Sequence, residues 1–472
     1  MSLQNLLLCL PARYPRMVQF FLTTLLLFSV SESFGQTFPS GQILPQIPSG
    51  QTLVLIPSLS LSERYDDNIF QADTDEETDF VTIVTPGILL RYQPASNTFL
   101  DLDYRADIEF FAQNTDQNQI GHRGTLRFSS PITPSISITA SDRLIITEEP
   151  GDRFVDIDDV TGLRPTSQED RQQTIRNRAN ATLEVLLSAR STLSLLFDSL
   201  IEDVEEADEV DEFRYTLGAE LGYLTDIRRE SRLRLFYDAT LHNFSENAPL
   251  SPGESEEPDF QVHTFNVGYL HPFSSTLVGD AAVGYAMTNS DAAAEDDRAA
   301  FIANLGITKT LRDGRIALRY RRSLTSGRGE GGSVVADTFT LTIASVLTPK
   351  ITAAVNTNLS FFDFLSENRA NDDQTFWIIR PTLAYQMLHF LRLSFDYSFS
   401  ITDYDISTRA DRMEHLLTFA SQFTIREALF LSLIYQYRTR QFSGGNTDGD
   451  NDFKRNQVML TVTYAPTFLF GR

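Results

Sequence analysis

The stretch Phe99-Leu100-Asp101-Leu102-Asp103-Tyr104-Arg105-Ala106-Asp107-Ile108-Glu109-Phe110 decides the fold class. Leu100, Leu102, Tyr104, Ala106, Ile108 and Phe110 share one parity; Asp101, Asp103, Arg105, Asp107 and Glu109 share the other. At 3.6 residues per turn the two sets would mix around a helix, whereas a strand puts them on opposite faces. The stretch therefore predicts a β-strand with one apolar and one charged face.

The same period-two pattern recurs in 20 segments between 52 and 464, among them 52–65, 98–111, 172–187, 337–346 and 453–464. Short connections such as Gln93–Asn97, Ser188–Ser191 and Thr424–Glu427 alternate with long ones such as Asp66–Asp79, Glu148–Asp170, Ser245–Asp259 and Gln441–Asp452. Soluble sandwiches have no reason to keep that alternation, while outer-membrane barrels have short periplasmic turns, long extracellular loops and an even strand count. Most segments suffice for a tilted crossing of about 9–11 residues, against about 5–6 in the strands of a soluble propeller. The predicted fold is all-β: a large transmembrane antiparallel up-and-down β-barrel of about 20 strands with long acidic outer loops.

Composition narrows the function. The chain of 472 residues has 63 Asp and Glu against 39 Lys and Arg, a formal net charge of −24. That sign is wrong for a nucleic-acid partner, which needs a basic footprint. Beyond the N-terminus no apolar run reaches about 18 residues, which excludes a polytopic helical membrane protein. Arg13 and Arg16 precede the apolar run Met17–Val30, and Ser33-Phe34-Gly35 places small residues at the cleavage spacing. Met1–Gly35 thus reads as a secretory signal peptide rather than an anchor. The only cysteine, Cys9, lies before the apolar run, so the mature chain has none. Gln36–Gln51 reads as a flexible periplasmic lead-in and 52–472 as the barrel.

Charges orient the strands, because an Arg on the lipid face at mid-bilayer costs about 2–4 kcal/mol. Arg315, Arg319 and Arg321 alternate with Ile316, Leu318 and Tyr320, so the arginines are predicted to line the lumen. The same argument turns Arg105, Arg176, Arg178, Arg232, Arg234, Arg438 and Arg440 inward. These ten arginines are the candidate solute contacts, since guanidinium groups attract anions and bind carboxylates, phosphates and sugar hydroxyls. The competing role for each is an Arg–acid pair that only stabilises the wall. Tyr92, Tyr223, Tyr269, Tyr385 and Tyr464 close descending strands in apolar phase, as a periplasmic girdle would, and Trp377 fits the outer girdle. Twenty strands tilted about 40° make a barrel about 40 Å across, too wide for side chains to fill. Gln36–Gln51 and Glu148–Asp170 are the candidate plugs.

Little else carries chemistry. Asp448, Asp450 and Asp452 have the spacing of an oxygen-rich calcium loop but lack a later bidentate Glu, so a solvated acidic tip is the preferred reading. A lipid-facing hydrolase would need a Ser–His arrangement, and none is visible at catalytic spacing around the six histidines. No cofactor motif is present, and the chain reads as a non-enzyme.

The entry into the first long connection, Tyr65-Asp66-Asp67-Asn68-Ile69-Phe70, with the hairpins behind it, resembles the beta-barrel porin 2 family of outer-membrane proteins. The resemblance implies about 18 strands, two fewer than the periodicity, and an association with exopolysaccharide synthesis and export. It carries no catalytic residues over. Together these features predict an outer-membrane protein giving passage to a polysaccharide or anionic solute. Its expected partners are outer-membrane lipid and lipopolysaccharide, the insertion machinery that reads the strand Asn456–Tyr464, and polysaccharide export components. The alternative is a structural or adhesive surface protein whose acidic loops bridge cations. Asp66–Asp79, Glu148–Asp170 and Glu202–Glu212 hold 7, 8 and 8 acidic residues, which predicts that the net charge is a property of one rim.

Overall fold

The computed structural model describes residues 53–148, 173–204, 210–246, 260–290, 298–326, 333–364, 374–404, 410–443 and 452–470. The expected signal peptide, the lead-in 36–51, Asp448, Asp450 and nearly all of the connection 148–170 lie outside these residues. The first ten strands are β1 (Leu53–Asp66), β2 (Asp79–Ala95), β3 (Thr98–Phe111), β4 (Gln119–Thr133), β5 (Ile136–Thr147), β6 (Thr174–Leu186), β7 (Ser191–Val204), β8 (Val210–Asp226), β9 (Ser231–Glu246) and β10 (Phe260–Ser274). Then follow β11 (Leu277–Ser290), β12 (Ala299–Leu311), β13 (Gly314–Ser326), β14 (Ser333–Thr348), β15 (Ile351–Phe364), β16 (Gln374–Leu388), β17 (Leu391–Tyr404), β18 (Asp411–Arg426), β19 (Leu429–Ser443) and β20 (Phe453–Tyr464). A three-residue strand, β21 (Phe468–Phe470), completes the order, and a single 3₁₀ turn covers Thr115–Gln117. No helix among the described residues is long and apolar enough to cross a membrane.

Each strand pairs antiparallel with the next, and β20 returns to β1 from Leu59↔Tyr464 to Asp66↔Gln457. The result is a closed barrel of 20 strands, the count given by the periodicity, and closure leaves no sheet edge exposed. Followed from pair to pair once around, Leu59 returns to β1 displaced by about 24 residues, the shear of the barrel. At about 4.8 Å between strands, that stagger requires a tilt of about 40° and a backbone diameter of about 40 Å. Odd-numbered strands run from the short-turn end to the long-connection end.

The outer face is apolar and open: Leu217 is 64%, Phe301 55% and Phe265 54% exposed. A continuous apolar surface of this kind has no place in water. Buried apolar residues form separate patches: Val334, Ala336, Phe362, Phe376 and Ile378, and Ile69, Val81, Ile83 and Phe111, near the long-connection end, and Val54, Ile56 and Ala465 near the short-turn end. One local expectation needs correction. β14 starts at Ser333 rather than 337, because Val334, Val335 and Ala336 are apolar on both faces and show no alternation. His271 lies within β10. The residues after Tyr464 add to the wall, since β21 pairs with Leu53–Leu55 at the foot of β1.

The stretch Tyr65–Phe70 fastens the closing seam. Asp66, fully buried, accepts from Arg455 through Nε (3.0 and 3.1 Å) and Nη2 (2.5 Å), and from Gln457 Nε2 at 2.8 Å. Asp67 accepts from the backbone N–H of Asn456 at 2.6 Å and from its Nδ2 at 2.7 Å. Asn68 donates from Nδ2 to the carbonyls of Lys454 (3.0 Å) and Ala72 (2.7 Å). Ile69 packs into the cluster with Val81, Ile83 and Phe111. Nearby Asp79, also fully buried, accepts from the backbone N–H groups of Ala112, Gln113 and Asn114. The acidity of this rim is thus not all solvated: Asp66 and Asp79 are internal fasteners, and Glu202 is 5% exposed beside Arg176.

Candidate functional site

The inner wall carries the polar chemistry because the outer parity of each strand is taken by apolar side chains. Arg315, Arg319 and Arg321 lie on the face of β13 opposite exposed Ile316 and Leu318. Arg232 and Arg234 lie opposite exposed Leu233, Leu235 and Tyr237, and Arg105 lies opposite exposed Tyr104. Arg176 and Arg178 on β6, and Arg438 and Arg440 on β19, also face inward.

The wall divides into three electrostatic regimes. Across β1–β4 every arginine meets an acid of the deciding stretch. Arg91 reaches Asp101 at 2.7 Å, Arg105 reaches Asp103 at 2.9 Å, and Arg64 reaches Glu109 at 3.2 Å. Arg123 lies 3.6 Å from Asp107 and Arg127 3.7 Å from Asp101. Similar pairs join Arg176 to Glu202 (3.7 Å), Arg178 to Asp198 (3.4 Å) and Arg234 to Glu220 (4.0 Å). In the second regime, on β18 and β19, one carboxylate serves three guanidinium groups. Glu414 lies 2.8 Å from Arg412, 2.7 Å from Arg438 and 4.0 Å from Arg440. Arg440, only 2% exposed, also stacks over the Phe453 ring at 4.7 Å.

The third regime is β13. Among the described residues Arg315 and Arg319 make no ion pair, and Arg315 Nε is shielded from solvent without a hydrogen-bond partner. Their register partners are neutral, Gly306 and Thr310 on β12 and Thr340 and Ala344 on β14, and the Asp280 carboxylate of β11 lies over Gly306 without forming an ion pair with Arg319. Of the ten predicted arginines, Arg105, Arg176, Arg178, Arg234, Arg438 and Arg440 are therefore held by acids, Arg232 and Arg321 are engaged, and Arg315 and Arg319 are free.

Glycines let the arginine stems lie along the wall. A Cβ at Gly222 would meet Thr192 Oγ1 at 2.7 Å and Arg232 Cδ at 3.2 Å; at Gly87 it would meet Ser58 Oγ at 2.6 Å and Arg105 Cγ at 3.2 Å. The periodicity missed these glycines, as it missed Glu414, although an acid on the inward parity of β18 opposite Arg440 was a readable signal.

No His, Cys, Asp and Glu grouping among the described residues could hold a metal. One Ser–His contact exists that spacing did not show: Ser231 Oγ and His271 Nδ1 are 2.9 Å apart. Ser231 is 1% exposed, and His271 is flanked by the rings of Tyr269 and Phe273, with no acid among the described residues hydrogen-bonded to it. A closed-off hydroxyl without an orienting acid lacks the geometry of nucleophilic catalysis.

No protein-family model matches the chain, and no curated protein matches it. Among solved structures it is similar to the siderophore receptor PirA from Acinetobacter baumannii, at 8% identity and a TM-score of 0.50, covering 88% of this chain and 81% of that one. It is also similar to the siderophore receptor PirA from Pseudomonas aeruginosa, at 10% identity and a TM-score of 0.47 over 89% and 81% of the two chains. The FrpB iron transporter from Neisseria meningitidis aligns at 9% identity and a TM-score of 0.49 over 87% and 81%. At these identities the likeness is one of fold.

Proposed function

We propose that this chain is an outer-membrane β-barrel giving passage to an anionic solute, with a secreted acidic polysaccharide as the favoured cargo. The observation that carries the proposal is the unpaired Arg315–Arg319 stripe on the wall of a barrel about 40 Å across. A fixed positive stripe whose guanidinium groups are not tied up in ion pairs concentrates anions and lowers their barrier to passage. The guanidinium groups of Arg412, Arg438 and Arg440, gathered around Glu414, lie on the same inner wall. The apolar outer face and the signal-like N-terminus support the membrane. The polymer rests on the resemblance at Tyr65–Phe70 and on the suitability of guanidinium rows for repeated carboxylates. The adhesive alternative is weakened by the burial of Asp66 and Asp79, which bind the barrel's own residues rather than a shared cation.

Two measurements test this. In planar bilayers under a salt gradient, the wild-type channel is expected to show an anion-favouring reversal potential, and Arg315→Ala with Arg319→Ala to move it toward cations by at least about 10 mV. A barrel that inserts but never conducts, or an unmoved potential in the double variant, would remove the passage claim. The assignment of faces is checked separately. Leu318→Arg, on the outer face, is expected to lower folding stability in vesicles by about 2–4 kcal/mol, while Ala317→Glu, a charge placed on the inner face between Arg315 and Arg319, changes it far less.

A further inference from the structure

A polar contact recurs on the outer face at one fixed position. The seventh residue of β3, β9, β13, β15, β17 and β19 is Tyr104, Tyr237, Tyr320, Thr357, Tyr397 and Tyr435. Each hydroxyl is hydrogen-bonded to a side chain on the next strand, two residues before its own register partner. Tyr104 meets His122 Nδ1 at 2.9 Å, Tyr237 meets His263 Nδ1 at 3.1 Å, and Tyr397 meets His415 Nδ1 at 2.8 Å. Tyr320 donates to Asp337 at 2.7 Å, Tyr435 donates to Asn456 at 2.9 Å, and Trp377 Nε1 donates to Thr357 Oγ1 at 3.0 Å. The third and fifth residues of these strands are apolar throughout, for example Leu233 and Leu235, or Ile316 and Leu318.

At about 2.5 Å of axial rise per tilted residue, the belt begins about 15 Å above the strand starts and its partner side chains reach about 23 Å. A barrel's apolar band is about 25 Å tall, so, measured from the strand starts, the belt falls in its upper part, with the exposed Phe110 and Ile120 above it on β3 and β4. Its only acid, Asp337, is neutralised by Arg322 at 2.5 Å. His122, His263 and His415 each form one hydrogen bond, through Nδ1. When the tyrosine donates to Nδ1, the neutral ring carries its proton on Nε2, and that donor has no protein partner.

We propose that this belt seats the phosphate-bearing headgroups of the lipid leaflet at the long-connection end, with His122, His263 and His415 donating through Nε2. The proposal rests on the reading that the barrel spans a membrane. Phosphate oxygens suit it because the belt offers uncommitted N–H donors and no uncompensated negative charge, unlike the acidic connections above it.

Trp377, the chain's only tryptophan, sits in the belt and reports on it. The full chain is refolded into phosphatidylcholine vesicles carrying lipids brominated either near the headgroup or near the acyl terminus. Stronger quenching of Trp377 by the shallow bromines is expected; stronger quenching by the deep ones overturns the belt while leaving the membrane reading intact. No quenching by either lipid overturns the membrane reading itself. Brominated phosphatidic acid is then compared with brominated phosphatidylcholine at the same depth. A preference of at least about threefold for phosphatidic acid is expected, falling to parity in a His122→Phe, His263→Phe, His415→Phe variant, whose rings can still stack on the tyrosines but carry no N–H donor. Parity in the wild type, or an undiminished preference in the triple variant, overturns the headgroup assignment.

Discussion

Asp66→Ala is expected to cost about 3–5 kcal/mol, because it leaves the Arg455 guanidinium buried without its charge partner at the seam that closes the barrel. The carboxylate accepts four hydrogen bonds from two residues of β20, and Arg455 has a side-chain exposure of only 5%. The β1–β20 register runs over eight pairs, against 14 between β1 and β2, so the seam has little redundancy. The urea midpoint of the refolded barrel should fall accordingly, and its compact band in unheated gels should weaken. Asp73→Ala, in the exposed part of the same connection, should stay within about 0.5 kcal/mol of wild type. Asp66→Leu combined with Arg455→Met should recover much of the loss, since removing both charges leaves neither uncompensated. Equal stability of Asp66→Ala and wild type would show that the seam does not depend on this pair.

Glu414→Ala is expected to be of similar size. One carboxylate at the β18–β19 ladder lies within 4.0 Å of three guanidinium groups, and the most buried of them, Arg440, has no room to turn toward solvent. Removing the acid takes away the carboxylate that Arg412, Arg438 and Arg440 share at this ladder, a penalty of about 3–5 kcal/mol for breaking a buried ion-pair network. Neither loss should be recovered by high salt, because the side chains of Arg412 and Arg440 are about as buried as that of Arg455 and mobile ions do not reach them. Reversing a single charge with Arg440→Glu, or neutralising it with Arg438→Gln, should be milder than deleting the hub. A Glu414→Ala barrel as stable as wild type at low salt would contradict this account.

The strand faces were legible where charge and apolarity alternated, as from Leu100 to Phe110, since one residue type could not tolerate the surroundings of the other. Legibility failed where both faces share a chemistry. Ser333–Ala336 enter β14 with small or apolar residues on either side, so parity held no information. It failed again where a partner is remote. Asp66 read as one more acid of a solvated connection, because nothing local points to Arg455, 389 positions away. The ten inward arginines could be placed on a face, but which were neutralised depended on register. Arg319 sits beside Gly306 and Thr340, whereas Arg105 has Asp103 two residues before it on the same strand. The tyrosine belt was half visible: the tyrosines follow the apolar phase, but their hydrogen bonds to the next strand depend on a diagonal offset.

The Asp66–Arg455 clasp joins the first strand to the last, and this makes it a test of completeness built into the chain. A product that stops anywhere before Arg455 carries a charged side chain shaped for burial with nothing to receive it, together with Asp67 and Asn68 aimed at a backbone that was never made. Nineteen correctly paired hairpin partners would not offset this, because the defect lies at the seam that turns a curved sheet into a cylinder. Truncated chains are thereby marked as open edges at the rim, available to degradation, while the full-length chain conceals the mark in the act of closing.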